Sequence, residues 1–397
     1  MVDHTAAQTI ASDSQPPDDD VFEEILREVR RFVREQVEPL EPQIEEQDEI
    51  PERIRAQAKE LGLFGFAIPA EHGGAGLSMS QEAELVFELG WTTPSFRSMF
   101  GTNNGIAGHV LMLGGTADQK HELLPRLASG ELTAAFALTE PEAGSSPADL
   151  RTTARRDGDG WVIDGTKRYI TNAPVADLFM VFARTADQTR PADGISAFVV
   201  RRDTEGLTVG PRDHKMGQRG AWTADVLFDG VRVGPDALVG DAPGNGYRTA
   251  LACLAHGRLH VAALCVGLAA RLVAESLAWA SERRQGGRPI AQHQLVAAML
   301  ADSETELRAG QALVRATARA FDAGEDTRVG PACAKLFCSE MVGRVADRAV
   351  QIHGGAGYIR GMPVERFYRD ARLFRIYEGT SEIQRVVIAA ELVRSHR

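Results

Sequence analysis

Two helical regions flank a stretch of short β-rich runs in this chain of 397 residues, and this order constrains the fold more than any other feature. Apolar residues recur at helical spacing from about residue 21 to 130. Between about 131 and 240 the pattern changes to short runs rich in β-branched and aromatic residues, separated by turn sequences. From Tyr247 onward the chain is helical again and rich in Ala and Leu. The sequence therefore predicts an α+β fold with helices, then a compact β domain, then a helical bundle.

We expect four segments along the chain. They are a disordered leader at 1–20, an N-terminal helical domain at 21–130, a middle β domain at 131–240 and a C-terminal helical bundle at 241–397. Strands that follow one another without helices between them favour an antiparallel barrel or sandwich for the middle domain. The runs predicted as strands are 133–138, 161–163, 178–182, 195–200 and 225–228.

The formal net charge of −11 belongs to one end of the chain. Residues 1–52 hold 16 acidic and 4 basic residues, whereas the remainder holds 39 acidic and 40 basic residues. A broadly basic face for nucleic acid is therefore excluded. No apolar run approaches the ~20 residues of a membrane span. The first 20 residues also lack the basic start and apolar stretch of a secretory signal, so we expect a cytoplasmic protein.

The four cysteines are too few and too scattered for a disulfide framework. They stand at positions 253, 265, 333 and 338, in helical stretches without a CxxC pair. We expect buried free thiols in a reducing cytoplasm.

Common nucleotide and metal motifs are missing from the sequence. Residues 354–357 read Gly-Gly-Ala-Gly, which lacks the third glycine of a dinucleotide fingerprint and follows a helix rather than a strand. The chain also lacks a P-loop, an HExxH pair and a GxSxG elbow. His256 and His260 could share a helix face, but without a third ligand nearby in the sequence we expect no metal there.

Two segments carry polar groups in patterns that suit a ligand. Residues 138–145 (LTEPEAGS) form a strand that runs into a Pro/Gly turn, where backbone N–H groups and hydroxyls could bind a cofactor edge or a phosphate. The simpler interpretation is that they are only a turn. Residues 283–290 (RRQGGRPI) are a basic glycine-rich loop between two helices, and a solvated connection explains them equally well.

A third segment, 375–385 (RIYEGTSEIQR), contains a candidate general base. Ser381 and Gln384 have the spacing of a capping box, which predicts that a helix begins near Glu382. Glu378 then lies on the turn before the helix, where apolar surroundings would raise its pKa and suit it to take a proton. From the local pattern alone, the favoured alternative is that Glu378 only interacts with the helix N-terminus.

Together these segments resemble the acyl-CoA dehydrogenase family of flavoenzymes, over nearly the whole chain from about residue 21. The resemblance implies an N-terminal helical domain, a middle β domain and a C-terminal four-helix bundle with FAD held between them. The matching motifs are IPAEHGG at 68–74, LTEPEAGS at 138–145, YITN at 169–172, Gly257-Arg258, QIHGGAGY at 351–358 and IYEGTSEIQR at 376–385.

The same resemblance implies roles for individual residues. Ser145, Arg258 and Gly379 would bind the acyl-CoA substrate. The 283–285 and 351–355 segments would reach FAD across a subunit interface, which implies a homodimer or, as we expect, a homotetramer. The implied FAD ligands are Phe136, Leu138, Thr139, Gly144, Ser145, Tyr169, Ile170, Thr171, Arg283, Gln285, Gln294, Gln351, Ile352, Gly354, Gly355, Thr380 and Glu382.

Glu378 matches the catalytic base of the family. By that likeness it removes the pro-R α-proton of the thioester while the β-hydride moves to flavin N5, which gives a trans-2-enoyl-CoA. The developing enolate would be stabilised by a ribityl hydroxyl of FAD and the N–H of the base residue. Electron-transfer flavoprotein would reoxidise the cofactor. Some members carry the base just before the matching arginine, but here that position is Gly257, so Glu378 has no substitute.

Four positions depart from the family pattern. Gly286 replaces a phenylalanine that packs on the partner's FAD, and Tyr169 replaces a frequent tryptophan. Ala255 and Ser146 replace acidic residues near the CoA end. These last two keep open a flavin desaturase or oxidase of the same fold, acting on a carrier-protein thioester or using oxygen. A non-catalytic interaction protein is a third class, which the intact Glu378 argues against. The sequence does not specify acyl chain length.

Overall fold

The structure is a computed structural model that describes residues 15–186 and 190–396. Most of the predicted leader therefore lies outside the described residues. The first helix begins at Asp19, because the Asp18 carboxylate accepts a hydrogen bond from the N–H of Val21 at 3.0 Å and caps it. The helices of this region are α1 (Asp19–Phe32), α2 (Glu41–Gln47), α3 (Glu52–Glu60), α4 (Met79–Leu89), α5 (Pro94–Asn104), α6 (Ile106–Gly114) and α7 (Ala117–Ala128).

The middle region forms one seven-stranded sheet, with the strand order β1-β4-β2-β3-β7-β6 and β5 paired to the other edge of β4. Most pairs are antiparallel, as expected, but β1 and β2 pair with β4 in parallel. All five predicted strands are present. The strands are β1 (Ala134–Ala137), β2 (Thr153–Asp157), β3 (Gly160–Thr171), β4 (Leu178–Arg184), β5 (Ile195–Arg201), β6 (Leu207–Val209) and β7 (Thr223–Val233).

Two strands, β2 and β6, were not predicted from the sequence. Strand β2 reads TARRD, and its last three residues are exposed, so it has neither apolar alternation nor a buried run. Strand β6 has only three residues, too few for a period to be read. Both are fixed by tertiary pairing, β2 with β3 and β6 with β7.

The C-terminal region is a bundle of long helices interrupted by a β-hairpin. The hairpin turns through Gly286 and Gly287, whose φ angles of 58° and 81° suit a tight two-residue turn. Its elements are α8 (Gly246–Glu282), β8 (Arg284–Gln285), β9 (Arg288–Pro289), α9 (Gln294–Asp322), α10 (Val329–His353), α11 (Pro363–Ala371) and α12 (Ser381–Ser395).

Helix α8 is long and apolar enough to cross a membrane by length and composition alone, which the sequence analysis did not anticipate. Within the structure, however, 67% of its most apolar window is buried. It packs against α4, α6, α9 and α10 as the central helix of the bundle. Its two cysteines, Cys253 and Cys265, are buried free thiols, as is Cys338, while Cys333 is half-buried.

Helices α5 and α6 connect the sheet to the bundle. Both pack on β1, and α6 also packs on α8. At the end of β3, the Asn172 amide donates to the carbonyl of Ser98 at 3.0 Å and to the hydroxyl of Thr102 at 2.9 Å, both in α5. The end of the sheet is therefore fixed to the helix that lies beside the candidate site.

Candidate active site

The candidate base lies on a sharply bent turn between α11 and α12. Glu378 has φ 51° and Gly379 has φ 88°, a left-handed pair that is strained for glutamate. Helix α12 begins at Ser381, close to the prediction, but the predicted capping box is wrong. Thr380 is the N-cap and accepts from the N–H of Ile383 at 3.3 Å, while the Ser381 hydroxyl donates to Glu340 at 2.7 Å.

Two side chains hold the strained turn in place. The Gln384 amide donates to the carbonyls of Glu378 and Gly379, at 3.2 and 2.9 Å. The ammonium group of Lys335 in α10 donates to the Gly379 carbonyl at 2.7 Å. Burial lowers the pKa of Lys335 to about 8. The Glu378 backbone is thus fixed from its own helix and from the neighbouring one.

The Glu378 carboxylate points into a buried space with no hydrogen-bond partner for Oε2 within the described chain. Burial raises its pKa, and the charges of Arg97, Lys335 and Arg258 act in the opposite direction. Oε2 lies against Gly257 of α8, so closely that a Cβ at that position would overlap it. The glycine that offers no alternative base is therefore also the residue that makes room for Glu378.

A buried polar cluster lies beside this carboxylate, on α4, α5 and α8. Arg97 Nη2 contacts His260 Nδ1 at 2.7 Å, and Glu82 contacts both His260 Nε2 and His256 Nε2, at 2.5 and 3.2 Å. His109 stacks on His256 with ring centroids 3.8 Å apart. Burial lowers the pKa of His256 and of His260 to about 3, so both are neutral at physiological pH.

Glu82 of α4 lies beside His256 and His260, so the expectation that these histidines have no third candidate metal ligand is wrong. One ligand atom from each of the three residues lies within 4.8 Å of the others. Hydrogen bonds within the cluster already use these atoms, and Arg97 places a cation on the far nitrogen of His260. These hydrogen bonds by themselves explain why the three side chains lie together.

The two β-domain segments assigned to FAD are brought together. The Arg168 N–H donates to the Thr139 carbonyl at 2.8 Å, and the buried Lys167 ammonium donates to the Leu138 carbonyl at 3.2 Å. Lys167 also pairs with the Glu140 carboxylate at 2.7 Å. This places the turn after β1 beside the end of β3. The FAD residues predicted here are Phe136, Leu138, Thr139, Gly144, Ser145, Tyr169, Ile170 and Thr171.

Their exposure fits a flat aromatic cofactor with a polar tail. Tyr169 is 60% exposed at a φ of 58°, and the next residue, Ile170, is buried. Gly144 and Ser145 are exposed, and a Cβ built on Gly144 meets nothing within 4 Å. An open backbone edge with a hydroxyl beside an exposed ring is a donor set suited to FAD.

The other predicted FAD residues form a second surface group. Arg283, Gln285 and Gln294 are exposed on and beside the hairpin, and Ile352 packs in a small apolar cluster with Ala280 and Ile290. Gln351, Gly354 and Gly355 are exposed there too. No hydrogen bond within the described residues joins this group to the β-domain segments.

Two of the cations near Glu378, Arg97 and Lys335, were not predicted from the sequence. Arg97 is the one charge within the buried helix α5, and Lys335 lies in the alanine-rich first half of α10. The available signal for Arg97 was that it is the one charged residue of its helix, since a charge is rarely buried without a role. Glu82 and Asn172 carried no comparable signal.

Comparison with known proteins gives matches along the whole body of the chain. Sequence models of the acyl-CoA dehydrogenase family match for its N-terminal domain at 19–131, its middle domain at 135–231 and its C-terminal domain at 244–393. A 3-(aryl)acrylate reductase of Clostridium sporogenes is 37% identical, over 94% of this chain and 98% of that protein. The caffeyl-CoA reductase-Etf complex subunit CarC of Acetobacterium woodii is 36% identical, over 94% and 99%.

Solved structures give the same result. Butyryl-CoA dehydrogenase from Megasphaera elsdenii has a TM-score of 0.91 and 30% identity, over 96% of this chain and all of that one. The prolyl acyl carrier protein oxidase AnaB has a TM-score of 0.89 and 30% identity, over 95% and 100%. PigA, solved as its FAD complex, has a TM-score of 0.90 and 26% identity, over 96% and 99%.

Proposed function

This chain belongs to the acyl-CoA dehydrogenase family of FAD-dependent oxidoreductases, and on that premise we propose that it dehydrogenates an acyl-CoA thioester between its α and β carbons. The observation that carries the proposal is the Glu378 carboxylate, whose buried Oε2 has no partner within the described residues and whose backbone is fixed by Lys335 and Gln384. A group held in this way is positioned to take a proton from a bound ligand.

The chemistry requires a base of raised pKa. A thioester α-proton is weakly acidic, so a carboxylate of ordinary pKa removes it poorly, and burial raises the pKa of Glu378. The group must be ionised to act, so activity is lost as the pH falls through this raised pKa. The cations Arg97, Lys335 and Arg258 oppose the rise and keep the carboxylate ionisable.

The backbone around Glu378 suits the substrate carbonyl. No acceptor in the described chain takes the N–H of Glu378, which leaves it free to donate to the enolate oxygen that forms as the α-proton leaves. Gly379 lies beside it without a side chain to obstruct the thioester. Ser145 and Arg258 would bind the remainder of the substrate, with Arg258 Nε buried and without a partner in the described chain.

FAD, when bound, supplies the acceptor for the β-hydride. The chain would hold it with the two β-domain segments, with Thr380 and Glu382 at the start of α12, and with the hairpin group of a partner subunit. We propose that electron-transfer flavoprotein exchanges electrons with it, which is supported by the relative named as part of an Etf complex. Two relatives are named as reductases, so the redox partner would decide the direction of turnover.

The assembly we propose is a cytoplasmic homotetramer. Large apolar side chains are exposed on the same elements that carry the hairpin group, as a self-association surface requires. They include Leu295 at 82%, Tyr358 at 84% and Ile359 at 64% exposure. Buried free thiols are compatible with a reducing compartment.

A carrier-protein oxidase is the second candidate, favoured by the similarity to AnaB and by the two departures near the CoA end. Ala255 is buried, and the exposed Ser146 hydroxyl donates to Asp149 at 2.6 Å. Anaerobic bleaching of the flavin by an acyl-CoA would support the dehydrogenase. Bleaching only by a carrier-bound thioester, with recovery of colour in air alone, would support the oxidase.

The decisive variant is Glu378→Gln, which keeps the shape of the side chain and removes the base. We expect the protein to keep its yellow flavin and to bind the thioester, while turnover falls by about 10³-fold or more. Stopped-flow flavin bleaching measures this loss. Glu304→Gln, on the exposed face of α9, is the matched control and should retain full activity. Full turnover in the Glu378 variant would refute the assignment.

A further inference from the structure

Gln218 is a buried residue of the loop between β6 and β7, and its backbone is strained. It is 2% exposed and has a φ of 51°, in the left-handed region that residues other than glycine rarely adopt. Among the described residues other than glycine, four more have a positive φ, and they are Asp48, Tyr169, Asn172 and Glu378. Strain of this kind persists only where the surrounding structure enforces it, and it is concentrated at functional sites.

The loop that carries Gln218 is bonded to two of these strained residues. The Trp222 carbonyl accepts from the N–H of Asn172 at 2.8 Å, and the Trp222 indole donates to the Asp48 carbonyl at 2.5 Å. The N–H of Gly220 donates to the Asp48 carboxylate at 2.7 Å. The loop is therefore attached to the end of β3 and to the residue that follows α2.

Gln218 is also bonded to α11 of the C-terminal region. Its N–H donates to the Asp370 carboxylate, and its side-chain amide donates to the Asp370 carbonyl at 3.2 Å. The preceding Gly217 permits this approach, because a Cβ there would lie 2.7 Å from the Asp370 carboxylate and 2.8 Å from the carbonyl carbon of Arg369. Asp370 is 1% exposed, so the contact lies in the interior.

The same side chain reaches the residue before the candidate base. The Gln218 amide hydrogen-bonds to the Tyr377 hydroxyl. Tyr377 and Glu378 share a peptide unit, and the N–H of that unit is the group that we assign to the enolate oxygen. The other side of the turn is bonded by Lys335 and Gln384. Gln218 therefore holds the side of the turn that these two residues do not contact.

The backbone of Gln218 does not by itself explain why glutamine occupies this position. Glycine would adopt the same φ without strain and would still donate its N–H to Asp370. Glycine lacks the amide, however, and with it the bond to Tyr377. The strained residue is therefore explained by what its side chain contacts.

We propose that Gln218 is a positioning residue for proton abstraction, which acts through Tyr377 on the peptide N–H of Glu378 and so on the enolate oxygen of the bound thioester. The proposal rests on the proposed function and adds to it a residue of the β domain. A donor stabilises developing charge best when it is aimed beforehand at the place where that charge appears. A misplacement of about 1 Å is enough to slow such a reaction strongly.

The test variant is Gln218→Gly, which removes the amide and keeps the N–H bond to Asp370. We expect an unchanged or higher melting temperature and a KM for acyl-CoA within about threefold of the wild type. Flavin reduction in stopped flow should be about 10- to 100-fold slower, because the enolate loses part of its stabilisation.

A thioester that cannot be oxidised gives a second readout, independent of turnover. In a 3-thia-acyl-CoA, sulfur replaces the β carbon, so the bound compound can lose its α-proton but has no β-hydride to transfer. Its enolate forms a charge-transfer band with oxidised flavin. At saturating compound and fixed pH, we expect the enolate fraction in Gln218→Gly to fall by about tenfold, whereas a change in stability alone would leave that fraction intact.

Two further variants identify the contact. Tyr377→Phe removes the other partner of the same hydrogen bond, so it should reproduce both losses, and it remains available where Gln218→Gly impairs folding. The double variant should be no slower than the slower single variant, because both changes remove one interaction. Gln43→Ala removes an exposed glutamine of α2 and should retain the wild-type values.

The outcomes separate the two proposals. Failure of every acyl-CoA to bleach the wild-type flavin would refute the dehydrogenase function itself. Bleaching of the wild type, with an unchanged reduction rate and enolate band in Gln218→Gly, would refute only the role of Gln218. Losses in the two single variants that multiply in the double variant would also refute it, as would a slower rate that accompanies a lower melting temperature and an intact enolate band.

Discussion

At the scale of single residues, the candidate site depends on small side chains as much as on charged ones. Glu378 occupies its buried position because Gly257 has no Cβ, and the Arg97 guanidinium occupies its own because Gly101 has none. Neither glycine has a positive φ, so each is required for space rather than for backbone conformation. The two charged groups and the two glycines form one arrangement, in which enlarging either glycine moves a charge.

Gly257→Ala tests this dependence. Alanine stabilises a helix by about 1 kcal/mol relative to glycine, and the new Cβ would overlap the movable end of Glu378 and lie 3.0 Å from the Ile106 side chain. We therefore expect an unchanged or higher melting temperature together with a fall in kcat of roughly tenfold or more, because the carboxylate is displaced.

Gly267→Ala is the matched control on the same helix. A Cβ at that position would overlap the backbone carbonyl of Phe87 in α4, which cannot move aside. We expect this variant to lose thermal stability, with no selective loss of proton abstraction at equal folded protein. Equal behaviour of the two variants in both assays would contradict the role given to Gly257.

At the scale of elements, the cofactor face that we propose lies where the turn after β1 meets the end of β3. The buried Lys167 of β3 joins the two by bonding the Leu138 carbonyl and the Glu140 carboxylate, and Glu140 accepts from the N–H groups of Arg151 and Thr152 at 2.6 and 2.9 Å. Burial lowers the pKa of Lys167 to about 8, so it remains largely charged at neutral pH. One buried ion pair thus fixes the start of the predicted FAD turn.

Removing only the cation of this pair should lower the free energy of unfolding more than removing both charges. Lys167→Met leaves the Glu140 carboxylate buried without its cation, and we expect a loss of about 3 kcal/mol in the free energy of unfolding. Adding Glu140→Gln keeps an acceptor for the two N–H groups and removes the orphaned charge. Denaturant unfolding at saturating FAD should show the double variant more stable than Lys167→Met alone. The reverse order would contradict this assignment.

Much of the fold and part of the site could be predicted from the sequence. Helical periodicity located the helical regions, short β-rich runs between turn sequences located five strands, and the spacing of Ser381 and Gln384 placed Glu378 just before α12. The N-cap was assigned one residue late because Thr380 and Ser381 are adjacent hydroxyl residues, and local spacing does not show which one faces the helix. The Arg97 network could not be predicted, since it joins α4, α5 and α8 through contacts between residues more than 160 positions apart.

At the scale of the whole molecule, the residues that we propose to bind FAD fall into two groups. One group is on the β-domain segments, and the other includes Arg283, Gln285 and Gln351, which are exposed. Because the exposed Tyr358 and Ile359 directly follow the second group, association of chains and completion of the FAD site should depend on each other.

Tyr358→Lys tests this linkage, since it places a charge on the proposed association surface. We expect a mass below that of four 43.0 kDa chains in solution, together with weaker retention of FAD on dilution. Val21→Lys changes an exposed apolar residue of α1 and should alter neither property. Mass photometry and flavin fluorescence measure the two effects. A monomeric variant that still holds FAD as tightly as the wild type would contradict the proposed assembly.

The Asn172 contacts with α5 have a consequence for selectivity. The amide ties the end of β3 to Ser98 and Thr102, which both follow Arg97 in α5. These two hydrogen bonds therefore hold the end of β3 at a fixed distance from α5. The number of carbons accepted should change only when the Asn172 link is broken and α5 shifts against the sheet.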